Sequence, residues 1–418
     1  MRNVVIVGGG IGGLCLAQGL KQAGISVALY ERDASADFRG QGYRIHINPY
    51  GSHALLSCLP EHLFDLYVAT SNKAGNTVMA VFDDQLHQRF EKPLPAGPPD
   101  SARVISAGVN RRTLREILLA GLEDVVQFGK TFERFDQVEG GQVRAFFSDG
   151  TAATGDLLVA ADGANSAIRE LVVPDAGLDD LGSAIYGRTP ITPETMEWVP
   201  EVFVEGFPRV VGSDGISMGI GAYRKRQPFA EATTKFAPDL HLTETQDFLM
   251  WTLSGWSTQA QLPLSDQQLR AADGPALHRE ASAIVRDWHP ILRRLVAEAD
   301  ASATFPVAIR CSRPVTRWQT QNVTLLGDAI HTMTPGRGEG ANTALRDAAL
   351  LCHELVGVAT DGVPLTQAKD QYETAMLRYG FEAVANSRNP YFATAMKAAG
   401  MPPTGGTPDV RLRREAQR

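Results

Sequence analysis

Cysteine is scarce in this chain, with four in 418 residues. Cys15, Cys58, Cys311 and Cys352 are widely scattered and no Cys-x-x-Cys pair occurs. That spacing argues against a disulfide framework or a zinc site and suits small core residues in a reduced compartment. Long apolar runs are missing as well. No stretch reaches the roughly 18 residues needed to span a bilayer, so no integral membrane segment is expected. An apolar strand begins by Val4, which leaves no room before it for a signal peptide, and the expected compartment is the cytoplasm. Nor is one sign of charge concentrated. Lys and Arg number 40 against 47 Asp and Glu, a net of −7; no basic block of nucleic-acid type occurs, and the basic tail Arg411-Leu412-Arg413-Arg414 is short. Nucleic acid is therefore not an expected partner. What remains, at 44% hydrophobic and 21% charged residues, is a globular protein too long for one ordinary core, and two domains are expected.

The most informative segment is the first 31 residues. Val4-Val5-Ile6-Val7 is an apolar run. It enters Gly8-Gly9-Gly10-Ile11-Gly12-Gly13, then a helix-like Leu14–Leu20, then a second apolar run, Val27–Tyr30, that ends at Glu31. Strand, glycine turn, helix, strand and acid in this order form a dinucleotide-binding fingerprint. Gly8 permits the tight turn, Gly10 lets backbone approach a pyrophosphate, and Gly13 lets helix and strand pack closely. The helix N-terminus offers unpaired N–H groups to phosphate, and Glu31 offers an acceptor to a ribose hydroxyl.

Two further motifs lie far downstream. An apolar strand, Leu157–Ala160, leads to Asp162-Gly163 and a helix start carrying Arg169. Another, Val323–Leu326, leads to Gly327-Asp328, His331 and the glycine-rich Pro335-Gly336-Arg337-Gly338-Glu339-Gly340-Ala341-Asn342. Between the motifs, Asn110 is a plausible N-cap for a helix to Leu122 with Leu114, Ile117 and Leu118 on one face. Short strands are expected at 125–128, 132–138, 143–147 and 157–160, with hairpin turns at Gly140-Gly141 and Asp149-Gly150. Residues 182–270 change character, being rich in Gly, Pro, Thr and aromatics. Strand-like pieces there are Val202–Val204, Val210-Val211 and Ile216–Ile220. Helices are expected over 276–298, 341–355 and about 366–398.

Taken together, the three motifs resemble the single-component FAD-dependent monooxygenases, the para-hydroxybenzoate hydroxylase-like flavoproteins. The resemblance covers about 1–180 and 270–390, and the chain length resembles the shorter branch with salicylate hydroxylase-like and tetracycline-modifying enzymes. The fold it implies is α/β: a Rossmann-like FAD-binding domain with an inserted antiparallel β-sheet substrate domain and a C-terminal helix. The FAD-binding domain would comprise 1–75, 100–181 and 271–365, and the substrate domain 76–99 and 182–270. The helix would run over 366–400, ahead of a mobile tail, 401–418.

The resemblance also implies site residues. Gly8, Gly10, Ile11, Gly12 and Gly13 would hold the FAD pyrophosphate. Glu31 would hold the adenosine ribose, with Arg32 near the adenine end. Arg111 looks like the family arginine at the ribityl and phosphate region, with Arg112 as its rival. Gly327 and Asp328 would meet ribityl and pyrophosphate groups. Asp162 would serve FAD and the nicotinamide cofactor, more through backbone geometry than direct contact, or simply cap its helix. Pro335, Gly338, Gly340, Ala341 and Asn342 would wrap the flavin ring, their N–H groups facing negative charge at its pyrimidine end. Arg44, after Gly40-x-Gly42, would touch or guide the flavin ring, or serve structurally. His331 reads as packed or hydrogen-bonded, and Arg169 as structural.

The activity so implied is hydroxylation through a flavin hydroperoxide, with NADPH or NADH as transient reductant and dioxygen as oxidant. The alternatives are Baeyer–Villiger oxidation, epoxidation, or a reductase or dehydrogenase without oxygen transfer. Phe203, Phe207, Met218, Tyr223, Phe229 and Trp251 suggest either an apolar wall for an aromatic or polycyclic substrate or the sheet's own core. Tyr43, His46, His53 and Arg188 are the conceivable bases. Oligomeric state stays open between monomer and homodimer.

Overall fold

The computed structural model describes residues 3–36, 43–73, 78–93, 104–255, 262–320 and 322–388. A five-stranded parallel sheet runs in the order Val323–Leu325, Leu157–Ala160, Val4–Val7, Val27–Tyr30, Val126–Gln127. Its central strands are buried at every position, which is why they read as continuous apolar runs rather than alternating ones. The helices Ile11–Gln22, Pro49–Cys58 and Gly340–Thr360 pack together against this sheet, and Leu365–Ser387 closes over Gly340–Thr360. All three motif turns therefore leave the same carboxyl edge of one sheet, where α/β proteins place their ligands. A three-stranded meander, Phe132–Val138, Gln142–Phe147 and Ala152–Gly155, flanks it. Its turn glycines, Gly140, Gly141 and Gly150, all have positive φ.

A seven-stranded sheet stands beside this unit, in the order Phe305–Ser312, Leu178–Pro190, Phe248–Gly255, Ile216–Tyr223, Phe207–Val211, Val78–Asp83, Gln88–Pro93. Neighbours are antiparallel except for the parallel pair Phe207–Val211 and Val78–Asp83. It reaches beyond the expected 182–270. It begins at Leu178, and Phe305–Ser312, inside the segment assigned to FAD binding, is its edge strand. Long-range pairing such as Phe305 with Tyr186 leaves no local trace in sequence.

Helices cover one face of the sheet, burying Ile185, Val210, Met218, Trp251 and Leu253 against Phe203, Leu277, Leu292 and Leu295. Val202–Val204, read as strand-like, is instead part of the helix Glu201–Glu205. A three-residue apolar run carries no period to separate the two states. The segment 276–298 forms two helices, Gly274–Ile284 and Pro290–Ala297, because Pro290 biases His289 away from helical backbone. The C-terminal helix is Leu365–Ser387; 389–400 and the tail 401–418 lie outside the described residues, as do Gly40 and Gly42. No described helix is long and apolar enough to cross a membrane.

Candidate cofactor and substrate site

The glycine turn is built as its spacing requires. Gly8 has φ +112°, and a Cβ there would stand 2.2 Å from the Ala161 carbonyl oxygen. A Cβ on Gly13 would stand 2.2 Å from the Gly8 carbonyl oxygen, and one on Gly12 would meet Leu326 and Ala344. Around Gly10 there is only open space, so this is the glycine that leaves room for a ligand. Ile11 is buried at the first helical position. No side chain caps the helix Ile11–Gln22, and its first N–H groups and positive dipole end stay available. Glu31 is buried at the end of Val27–Tyr30, accepting N–H bonds from Gly9 (2.6 Å) and Asp33 (2.9 Å). It thus ties the turn to the acid position. Arg32 beside it is exposed.

The two Asp-bearing turns differ. Asp162 accepts the Ala167 N–H at 3.0 Å and works with Ser166, the N-cap of Ala167–Val172. Its second carboxylate oxygen is buried without a hydrogen-bond partner. Burial pushes its pKa above the usual carboxylate range. Arg169 is buried and donates to the carbonyls of Ala164 and Ala329. It locks the Asp162 turn to the Asp328 turn, a structural role.

Gly327 takes φ +63°, and Asp328 follows with its side chain open to solvent although protein surrounds it, as at the floor of a cleft. That surrounding raises its pKa, while His331 and Arg111 oppose the rise. Asp347 organises this turn from behind. It accepts from Gly327 N–H (2.8 Å) and Tyr379 OH (2.6 Å), and lies 2.6 Å from His331 Nε2.

Arg111 opens the helix Arg111–Leu119, capped by Asn110. Its guanidinium lies 5.6 Å from the Tyr43 ring and within electrostatic reach of Asp328. Arg112 instead pairs with Glu116 at 3.0 Å. One arginine escaped the sequence reading. Arg115 donates to the carbonyls of Gly9 (3.1 Å) and Ala36 (2.5 Å). Its signal was its place four residues after Arg111, on the same helix face.

Pro335 starts a short 3₁₀ turn that ends at Gly338, φ +64°. The helix Gly340–Thr360 follows, again with no side-chain cap. Asn342 holds this segment: its side chain bonds Asn48 N–H, the His46 carbonyl and the Gly338 carbonyl. Gly340, Ala341 and Asn342 contribute the free N–H groups of the first turn. Two uncapped helix starts and Arg111 offer donors, and Asp328 an acceptor, a set that fits a dinucleotide with an anionic ring.

Arg44 lies on Arg44–Ile47, which pairs with Ala107–Asn110. It is buried, and its Nε donates to the Ala222 carbonyl of the seven-stranded sheet at 2.9 Å. The guanidinium stands 6.0 Å from the Phe207 ring, and burial draws its pKa down to about 10. Gly108 and Gly221 make room for it. His46 is 3.1 Å from Ser106 Oγ, its pKa lowered to about 4 by burial and by Arg44. His53 lies on Pro49–Cys58, lining a groove at the other end of Ile11–Gln22, and Arg188 pairs with Asp300 at 3.2 Å.

The face of the seven-stranded sheet turned away from those helices carries a row in register: Phe305, Tyr186, Thr252, Gly219, Arg209 and Val81. Tyr43 packs on both Tyr186 and Phe305, with ring centroids 6.1 and 5.6 Å away. Arg209 is buried, donates to Ser217 Oγ at 2.9 Å, and has its pKa drawn down to about 10 by burial. Sequence reading named none of Arg209, Tyr186 and Phe305 for the site. Of the six side chains it weighed for the wall, Phe203, Met218 and Trp251 fill the sheet–helix core, and Tyr223 and Phe229 join the core of the parallel sheet. Phe207 alone lies on the face turned away from the helices, half-buried beside Arg44.

Comparison with known proteins finds relatives over most of the chain. A model of the FAD binding domain matches residues 254–387, and one of an NAD(P)-binding Rossmann-like domain matches 6–82. The FAD-dependent monooxygenase dbaB of Emericella nidulans is 31% identical over 371 residues, covering 86% of this chain and 88% of that protein. The dual O-methyltransferase/FAD-dependent monooxygenase CTB3 of Cercospora beticola is 32% identical over 397 residues. That match covers 90% of this chain but 44% of the relative, so the chain spans less than half of that protein's length. The crystal structure of an FAD-containing monooxygenase from Photorhabdus luminescens superposes with a TM-score of 0.78 at 32% identity, covering 96% of this chain and 98% of that one.

Proposed function

The chain belongs to the FAD-dependent monooxygenase family, and on that premise we propose that it hydroxylates an acidic aromatic or polycyclic small molecule. The observation that carries the substrate class is the row across the sheet face turned away from the covering helices. Phe305 and Tyr186 offer an aromatic wall, Gly219 lets the side chains of Thr252 and Arg209 close in beside it, and buried Arg209 offers a cation to a carboxylate or phenolate. An acid leaving water for this face would gain a charge-assisted bond that a neutral analogue lacks.

In this reading Gly8, Gly10, Ile11, Gly12 and Gly13 cradle the FAD pyrophosphate. Glu31 and Arg32 take the adenosine end, and Arg111, Gly327 and Asp328 the ribityl and phosphate region. Asp162 shapes its turn through the helix it caps. Pro335, Gly338, Gly340, Ala341 and Asn342 hold the ring edge, where N–H groups stabilise negative charge. Arg44 reaches from the strand Arg44–Ile47 to the sheet and keeps a positive charge in a water-poor position. Bound FAD supplies two-electron reduction by NADPH or NADH and the transfer of one oxygen atom from dioxygen, the other leaving as water. The chain's own part is to orient the substrate and exclude water. The O-methyltransferase half named in the Cercospora relative is compatible with a phenolic substrate or product.

The test is anaerobic mixing of FAD-loaded protein with NADPH or NADH, followed by ¹⁸O₂, across a panel of phenolic and polycyclic acids and their neutral esters. Faster flavin bleaching with an acid and one ¹⁸O atom in its product support the reading. Reoxidation without labelled product would favour a reductase or dehydrogenase.

A further inference from the structure

Away from the cofactor cleft, at the opposite end of Ile11–Gln22 from the glycine turn, a groove of about 660 Å³ opens between that helix, Pro49–Cys58, Gly340–Thr360 and Leu365–Ser387. Its floor is apolar, formed by Ala54, Leu350, Val356 and the thiol-bearing Cys58 and Cys352. Its charged rim is of one sign. Arg346 and Arg378 line it beside His53 and His353, and no carboxylate among the described residues does. This contrasts with a chain whose net charge is −7.

The two arginines are placed rather than spent. Arg346 is stacked 3.8 Å from the Tyr379 ring centroid and 5.1 Å from that of Tyr50. Those contacts fix the guanidinium while leaving its N–H fork for a partner. Neither Arg346 nor Arg378 forms an ion pair among the described residues. Tyr50, 64% exposed, extends the apolar surface past the rim. An apolar trough of this size suits a small molecule, since ligand sites run to roughly 300–1,000 Å³.

We propose that this groove is a second ligand site, which binds a small amphipathic carboxylate with its apolar body on the Ala54–Leu350 floor and its carboxylate against Arg346 and Arg378. Charge complementarity selects the anion. The apolar floor selects against a bare ion such as phosphate, which would leave that surface wet. The site is independent of the sheet face that holds Arg209 and does not depend on the reaction catalysed there.

The experiment is calorimetric titration of the FAD-loaded full chain with decanoate at low salt, with decylammonium as the opposite-charge control. Decanoate is expected to bind at one site, to weaken with added salt, and to bind more tightly than decylammonium. Arg346→Gln and Arg378→Gln should each weaken it by roughly three- to tenfold, and Ala375→Trp, which fills the trough, should abolish it. Unaltered FAD content and melting temperature identify variants that remain folded. Decanoate affinity unchanged in both arginine variants overturns the proposal. So does equal affinity for decylammonium, or loss of binding in Arg209→Gln alone, which would put decanoate at the substrate face. Protein that ignores decanoate but sediments with phosphatidylglycerol vesicles through Arg346 and Arg378 would also overturn it, in favour of a membrane surface.

Discussion

At Gly8 the backbone takes φ +112° with a carbonyl oxygen 2.2 Å from where a Cβ would stand. Gly8→Ala should therefore cost about 3 kcal/mol, seen as a lower melting temperature and as protein purified without flavin. The same change at Gly10, with open space around it, should leave stability nearly unchanged and weaken FAD binding instead. The contrast between these neighbouring glycines separates folding from cofactor approach. On the substrate side, Arg209→Gln should lower kcat/KM for the acidic substrate by roughly 10- to 100-fold, as loss of a charge-assisted bond implies. FAD affinity should not change, because Arg209 lies on the sheet and not among the residues proposed for FAD. Steady-state kinetics and flavin fluorescence titration check the two halves. Gly8, Gly13 and Asp328 were legible because each sits in a motif with fixed neighbours. Arg209 was not, since its partner Gly219 lies across a strand pair.

Leu365–Ser387 shows how an element can be seen in sequence while its docking is not. Its helical pattern is evident, but the buried Lys369–Glu373 pair and the bond from Thr324 to Glu373 depend on which strand it meets. Lys369→Met should destabilise the protein by about 3–5 kcal/mol, since it leaves Glu373 buried without its cation; urea unfolding measures this. Two histidines give opposite pH dependences. Burial alone would lower the pKa of His331, but Asp347 and Asp328 raise it above 6.5. Its contribution to stability is full below pH 6.5 and is lost as pH rises through the folded value. For His46, burial and Arg44 lower the folded pKa to about 4. Its neutral form contributes fully above pH 6.5, and that contribution is lost as pH falls from 6.5 towards 4. Melting temperatures against pH should show His331→Gln flattening the alkaline side and His46→Gln the acid side. The short elements were the ones misread. Val202–Val204 is a helix, and three residues cannot display a period of 3.6.

Across the whole molecule, the residues proposed for FAD come from 8–32, 44, 111, 162 and 327–342, so the cleft exists only when most of the parallel-sheet unit is folded. FAD in excess should raise the entire unfolding transition rather than one part of it, by about 2.7 kcal/mol at a hundredfold excess over Kd. Calorimetry with and without FAD decides this; a transition that splits, with one half unmoved, would contradict it. Arg44 bonds the two-stranded pair Arg44–Ile47 and Ala107–Asn110 to the seven-stranded sheet, through the Ala222 carbonyl. By itself the sequence determined the Rossmann-like unit, its three strand-end turns and the family. Those features are local, in that strand, turn and helix follow within a few residues and each glycine answers to its immediate surroundings. Tertiary structure alone decided the far wall. The edge strand Phe305–Ser312, the row from Phe305 to Arg209, and the core placement of Trp251 and Met218 all depend on strand order and on which face each side chain takes. Strand order joins residues more than a hundred positions apart, and a sheet's two faces alternate with a period that does not say which one will be covered.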